Sequence, residues 1–282
     1  MNPFFLPSRR GALFAIDHPP SSAGEQAVLY IPPFAEEMNK ARRMVALQAA
    51  ELARSGCRVL LLDLYGTGDS AGDFRDARWE FWLDDLTRAV EWLAGQGCRR
   101  VTLWGLRAGC LLALDLLHEG RVSADRLVLW QPVITGKQML TQFLRLRIAA
   151  ELAGDRGRET VASMREQLSR GEPLEVAGYE LAPELAASID AQNLSPPPQN
   201  VPVYWYEVAS VGERPLSPVA ATTVDAWRQA GIRVEAEVIK GEPFWMTQEV
   251  TLAPALLQAT MTAMQTKPGP RLAYTPGAAL RR

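Results

Sequence analysis

The sequence predicts an α/β fold, a mostly parallel central sheet with flanking helices on both faces. Three observations carry this. Short apolar runs alternate with longer stretches whose apolar residues recur at helical spacing, as in repeated strand–helix–strand units. Two of those helical stretches end in the same Gly-Cys-Arg tripeptide directly before a strand, at 56–58 and 97–99. Residues 101–112, VTLWGLRAGCLL, pass from an apolar strand through a Gly-x-x-x-Gly turn into an apolar helix without a spacer. The 282 residues suffice for one large domain with an insertion.

The elements follow in chain order. Gly11 to Ile16 reads as part of an N-terminal strand or hairpin, and Ala27 to Ile31 as a short buried strand. Ala41, Met44, Val45, Ala49 and Leu52 share one helical face that ends at Gly56, and Val59 to Leu62 is the next strand. Beyond a glycine-rich loop, Trp79, Trp82, Leu83, Leu86, Val90 and Leu93 form a second helical stripe. Gly97 closes it, Val101 to Trp104 is a strand, the turn opens a helix through Leu117, and Leu127 to Trp130 is another strand. Residues 135–200 break the rhythm. They read as a helical cap insertion, with helices over Met139 to Ala153 and Thr160 to Arg170, closed by Ser195-Pro196-Pro197-Pro198-Gln199-Asn200. Alternation then resumes: a strand at Val203 to Val208, a helix through Ala220, Thr223, Val224 and Trp227, a strand at Val234 to Ile239, and a helix marked by Leu252, Leu256, Met261 and Met264. The expected organisation is a core in two parts, 1–134 and 201–266, the cap at 135–200, and a loose tail at 267–282 rich in proline and glycine.

Apolar residues make up 48% of the chain and the formal net charge is -2, so a large core is available and no polyanion-binding surface is expected. This argues against nucleic acid as a partner. Cys57, Cys98 and Cys110 form no C-x-x-C pair and are odd in number, which argues against a disulfide framework or a metal site and fits a reducing, cytoplasmic compartment. The N-terminus has no long apolar segment of a secretion signal, and no run approaches the roughly 20 apolar residues of a membrane span. No cofactor motif is found. In a parallel sheet, ligands bind beyond the carboxyl ends of the strands. That rule selects the loops that begin at Pro32, Asp63, Gly105, Gln131, Ala209 and Gly241.

The turn Gly105-Leu106-Arg107-Ala108-Gly109 has the layout of a nucleophile elbow, whose central residue in a hydrolase is the attacking serine. Here it is Arg107, which stays protonated and only donates hydrogen bonds. With Ile31 to Lys40 (IPPFAEEMNK), Asp63 to Phe74 (DLYGTGDSAGDF), Trp130-Gln131-Pro132 and Pro243-Phe244-Trp245, the elbow carries a resemblance. The chain resembles an α/β-hydrolase across about residues 25 to 265. Within that superfamily it is similar to the exosortase A system-associated hydrolase of the second type. The resemblance implies an α/β-hydrolase fold and a setting of exopolysaccharide synthesis and PEP-CTERM protein sorting, without implying a known reaction.

The chemistry expected of that fold is not readable in these residues. Gly68-Asp69-Ser70-Ala71-Gly72 satisfies G-x-S-x-G, which makes Ser70 a second candidate nucleophile, but it does not lie between a strand and a helix. In α/β-hydrolases an Asp-x-x-Gly-x-Gly-x-Ser loop at this place is structural, and Asp69 and Ser70 are turn formers. The chain has two histidines, His18 and His118. The first precedes the core strands; the second lies roughly 16 Å along the elbow helix at about 1.5 Å per residue. A triad base would follow Gly241, where the chain reads Gly-Glu-Pro-Phe-Trp-Met. The acid would follow Val208, where Glu213 is the only carboxylate before Arg214. Cys110 falls inside an apolar helix and reads as packing.

Arg107 then has two open uses: to bind a ligand carboxylate or phosphate at a helix N-terminus, or to pair with Glu36, Glu37 or Glu242. Phe34, Trp130, Phe244 and Trp245 are candidate apolar walls; Ala35, Ala108, Asn39 and Gln131 are candidate polar or backbone contacts. Three functions follow. The first is a non-hydrolytic protein or pseudoenzyme that binds a small anionic or lipid-like molecule. The second is an enzyme using Arg107 with Glu36, Glu37 or Glu242 on an acyl or exopolysaccharide-related substrate. The third is an assembly partner that docks a protein of the exosortase or exopolysaccharide system through the cap near Arg145 and Arg147.

Overall fold

The computed structural model describes residues 1–22, 24–151, 159–198, 201–211 and 214–266. The N-terminal strands β1 (Asn2–Ser8) and β2 (Gly11–His18) form an antiparallel hairpin. Next come β3 (Gln26–Ile31), α1 (Glu36–Arg54), β4 (Arg58–Leu62), α2 (Trp79–Gly95), β5 (Arg100–Leu106), α3 (Ala108–His118) and β6 (Arg126–Trp130). An excursion follows, made of α4 (Gly136–Glu151), α5 (Val161–Ser169), the short strands β7 (Leu174–Val176) and β8 (Tyr179–Leu181), and α6 (Pro183–Asp190). The chain returns through β9 (Val203–Ala209), α7 (Pro218–Gln229), β10 (Val234–Lys240) and α8 (Pro254–Gln265).

Eight strands form one sheet in the order β1-β2-β4-β3-β5-β6-β9-β10. The pairings from β4 to β10 are parallel, and β2 joins β4 antiparallel. The central strands are buried on both faces, so they read as continuous apolar runs without alternation. Two apolar layers result. Residues of α2, α3 and α7 pack on one face of the sheet with the excursion, and those of α1 and α8 pack on the other. The chain leaves β3 toward β4 and leaves β5 toward β6, in opposite directions along the sheet. The crevice between the ends of β3 and β5 is thus the topological switch point, where such sheets bind ligands.

The N-terminal hairpin is present as expected and extends back to Asn2, with Pro3 and Pro7 on the exposed side of β1. Other expectations need correction. The excursion is not wholly helical. It contains the β7–β8 hairpin, turned by Ala177 (φ 51°) and Gly178 (φ 84°), both left-handed as a two-residue hairpin loop requires. It also contains α6, opened by Pro183 in its first turn. In α8 the buried face is Leu256, Leu257, Thr260 and Ala263; Leu252 precedes the helix, and Met261 and Met264 are only partly buried. Ala153, Gln199, Asn200, Glu213 and the 267–282 tail lie outside the described residues.

Candidate functional site

The site grows from two turns. Ala35, before α1, and Arg107, before α3, adopt nearly the same rare backbone conformation: φ 51°, ψ -125° and φ 54°, ψ -114°. Each turn throws the chain sharply from a parallel strand into a helix, so the first amides of both helices face the switch-point crevice, where a helix N-terminus favours anions. The glycines explain why the second turn is so tight. A Cβ on Gly109 would lie 2.1 Å from the carbonyl oxygen of Ile31, and one on Gly105 would lie 2.7 Å from the amide nitrogen of Cys110. The strand–turn–helix junction also holds itself by hydrogen bonds. The amide of Arg107 donates to the carbonyl of Trp130 (3.0 Å), and that of Cys110 to the carbonyl of Arg107 (3.1 Å).

From this turn Arg107 projects a mostly buried side chain, 12% exposed. Its Nε donates to Glu37 Oε1 at 3.0 Å, and its Nη2 to Gln142 Oε1 of α4 at 2.7 Å. The guanidinium lies 5.9 Å from the centre of the Trp245 ring, within cation–π range. Of the three expected carboxylate partners, Glu37 is the one engaged. Glu242 instead accepts from Ser210 Oγ at 3.2 Å, tying the loop after β10 to the loop after β9. Burial raises the Glu37 carboxyl above its ordinary range, against the pull of Arg107; burial raises Glu36 likewise. Glu36 Oε2 and Glu37 Oε2 are both buried with no hydrogen-bond partner among the described residues.

Phe34 anchors the apolar side. It packs edge-on against Phe143 of α4 (4.9 Å between ring centres), Phe74 (5.5 Å) and Trp82 of α2 (6.1 Å), and Phe74 meets Tyr179 of β8 at 5.0 Å. This cluster clamps the excursion onto the core beside the elbow. Asn39 Nδ2 donates to Tyr179 Oη at 3.3 Å across the same seam. A cavity of about 10 Å³ remains between Phe34, Ala35, Trp82, Ala108 and Leu112. It has room for about one water.

Other candidates lie elsewhere. Gln131 does not offer its amide oxygen to the crevice, since that atom accepts from the amide of Val208 at 2.7 Å; a left-handed backbone (φ 44°) turns it onto β9. Trp130 and Phe244 pack edge-on at 5.9 Å in the α1/α8 layer, and Trp130 Nε1 donates to Thr260 Oγ1. Of that aromatic group Trp245 alone reaches Arg107. Ser70 Oγ donates to the carbonyl of Asp63 (2.5 Å) and accepts from the amide of Phe14 (2.8 Å), so it pins the β4 loop to β2. His18 pairs with Val59 at the start of β4, the end of the sheet opposite the crevice. His118 ends α3, with Nε2 2.8 Å from the carbonyl oxygen of Pro196. Burial pushes the Cys110 thiol far up. Arg147, a candidate docking residue, pairs with Glu159 at 2.6 Å. Sequence reasoning missed Gln142 and Tyr179, whose approach depends on how the excursion folds back. Among the described residues there is no cluster of metal-ligating side chains, and no helix is long and apolar enough to cross a membrane.

The sheet order, the switch-point crevice and the strained strand–turn–helix elbow agree with the family comparison. Residues 25–183, more than half of the chain, match the family described as serine aminopeptidase, S33. The chain belongs to this α/β-hydrolase family. Solved structures similar to this α/β-hydrolase share its fold at low identity. Est1E from Butyrivibrio proteoclasticus with bound ferulic acid is 14% identical, with a TM-score of 0.62, covering 93% of this chain and 97% of its own. Esterase 2 of Thermogutta terrifontis phosphoramylated by tabun is 13% identical, with a TM-score of 0.55 and 93% of each chain covered. Alpha/beta hydrolase domain-containing protein 10 from mouse is 14% identical, with a TM-score of 0.54, covering 94% of this chain and 97% of its own. No curated protein matches the sequence significantly.

Proposed function

We propose that this α/β-hydrolase is a non-hydrolytic binding protein, a pseudoenzyme of the exosortase A system-associated type, which receives a small anionic or lipid-like ligand at the elbow. The observation that carries the reading is Arg107 itself. A permanently protonated donor stands on the strained turn at the nucleophile's position, and its nearest ionic partner is Glu37. Both histidines lie away from the crevice, so no imidazole is within the roughly 3 Å that proton transfer from a nucleophile requires. Nucleophile and base act as a unit, and loss of either removes most of the rate. The subtype rests on the motifs at 31–40, 63–74, 104–109 and 243–245. In this reading 135–200 caps a core formed by 1–134 and 201–266, and Phe34, Ala35, Asn39, Ala108 and Trp245 border the ligand.

A second reading is favoured by Glu36 and Glu37, whose raised carboxyls beside Arg107 have the character of general acids. The test covers both. Purified protein and its Arg107→Ser variant are assayed on short-chain p-nitrophenyl esters, and octanoate is titrated into wild type and Arg107→Ala by calorimetry. We expect background ester hydrolysis in both proteins and octanoate binding that Arg107→Ala removes. Turnover by wild type that Glu37→Gln abolishes would instead establish the acid–base enzyme.

A further inference from the structure

The way Arg107 divides its donors points to a built-in competitor. An arginine offers Nε and Nη2 as a parallel fork that matches one carboxylate or phosphoryl group. This protein contains a filled example: Arg58 gives Nε to Asp17 Oδ1 and Nη2 to Asp17 Oδ2, both at 2.8 Å. Arg107 uses the same edge differently. Nε meets a carboxylate of the core, Glu37, and Nη2 meets a neutral amide oxygen of the excursion, Gln142. The second oxygen of Glu37 is buried without a donor among the described residues. So one fork is shared by two acceptors from different elements, and neither fills it.

We propose that Glu37 is the resident occupant of an anion subsite, and that a ligand carboxylate or phosphoryl group binds Arg107 by exchange, taking both donors of the fork and displacing Glu37 and Gln142. The inference rests on the binding reading above and adds its regulation. Affinity is held down by an internal anion, and ligand entry releases one of the contacts that seat α4 on the core. The ligand's apolar part meets Trp245, whose ring centre lies 5.9 Å from the guanidinium.

The test is calorimetric titration of octanoate and, separately, inorganic phosphate into wild type, Glu37→Gln, Glu37→Ala and Arg107→Ala, with circular dichroism to confirm folding. Removing the internal carboxylate is expected to tighten binding of at least one probe about tenfold, the scale of one partly buried ion pair. Adding Arg107→Ala should abolish the gain. Tightening for octanoate alone identifies an amphiphilic carboxylate; tightening for both identifies a general anion subsite. Unchanged or weaker binding in both Glu37 variants, with Arg107-dependent binding intact in wild type, overturns the competitor while leaving the binding reading standing. No binding of either probe to any protein overturns both. Should the Glu37 variants fail to fold, Gln142→Leu at an exposed position replaces them: tighter binding supports the exchange, and unchanged or weaker binding refutes it.

Discussion

Asp85, near the middle of α2, is almost wholly buried (1% exposed), and its Oδ2 accepts from the amide of Tyr65 at 2.8 Å. Burial outweighs that hydrogen bond and lifts its pKa from 3.8 to about 7. The folded protein therefore holds a proton that the unfolded chain releases near pH 4. Between those values the native state binds more protons than the unfolded state, so stability falls as pH rises; the contribution is full below pH 3.8 and lost by pH 7 to 8. At about 1.4 kcal/mol per pH unit, the span corresponds to an upper limit of about 4 kcal/mol. Asp85→Asn keeps an acceptor for the Tyr65 amide and removes the charge. Urea denaturation of both proteins from pH 4 to 8 isolates this group, because every other titration cancels in the difference. The variant should match wild type near pH 4 and gain stability progressively toward pH 8. Parallel stability curves, or a variant that is weaker at pH 8, would refute the argument.

Two further outcomes follow from the elbow and the β4 loop. Gly109→Ala places a methyl 2.1 Å from the Ile31 carbonyl, so it should cost about 3 kcal/mol or more and lower the melting temperature markedly; an unchanged melt would show that α3 can move away from β3. Ser70→Ala removes two hydrogen bonds that join β2 to the β4 loop and should cost about 2 kcal/mol in chemical denaturation. Loss of an ester-hydrolase activity in that variant, without loss of stability, would return Ser70 to the role of nucleophile.

The parallel core was legible because its central strands, β3, β5 and β6, are buried on both faces and the strands alternate with helices that carry an apolar stripe. The elbow was legible for a different reason: its two glycines are demanded by contacts under 3 Å, and such sterics leave a mark in sequence. The partner of Arg107 was not legible. Glu36 and Glu37 in the first turn of α1 and Glu242 in the loop after β10 all stand at the right end of the sheet, and the pitch of α1 decides which of the first two turns inward. Tyr179 was hidden because β7 and β8 are only three residues each and show no period, and Gln142 because its helix α4 was legible but the way the excursion folds back onto the elbow was not. Gln131 misled for a backbone reason: its left-handed conformation aims the side chain at β9, and a residue name carries no sign of φ.

The shared conformation of Ala35 and Arg107 has a consequence for how chemistry is mounted on this scaffold. A left-handed non-glycine residue carries strain of about 1–3 kcal/mol whatever its side chain. The tightness of the turn at 107 is set by Gly105, Gly109 and the carbonyl of Ile31, whereas the guanidinium meets Glu37 and Gln142. The turn is therefore a socket whose shape is indifferent to its occupant. A side chain of quite different chemistry can be seated there and still be aimed at the same crevice.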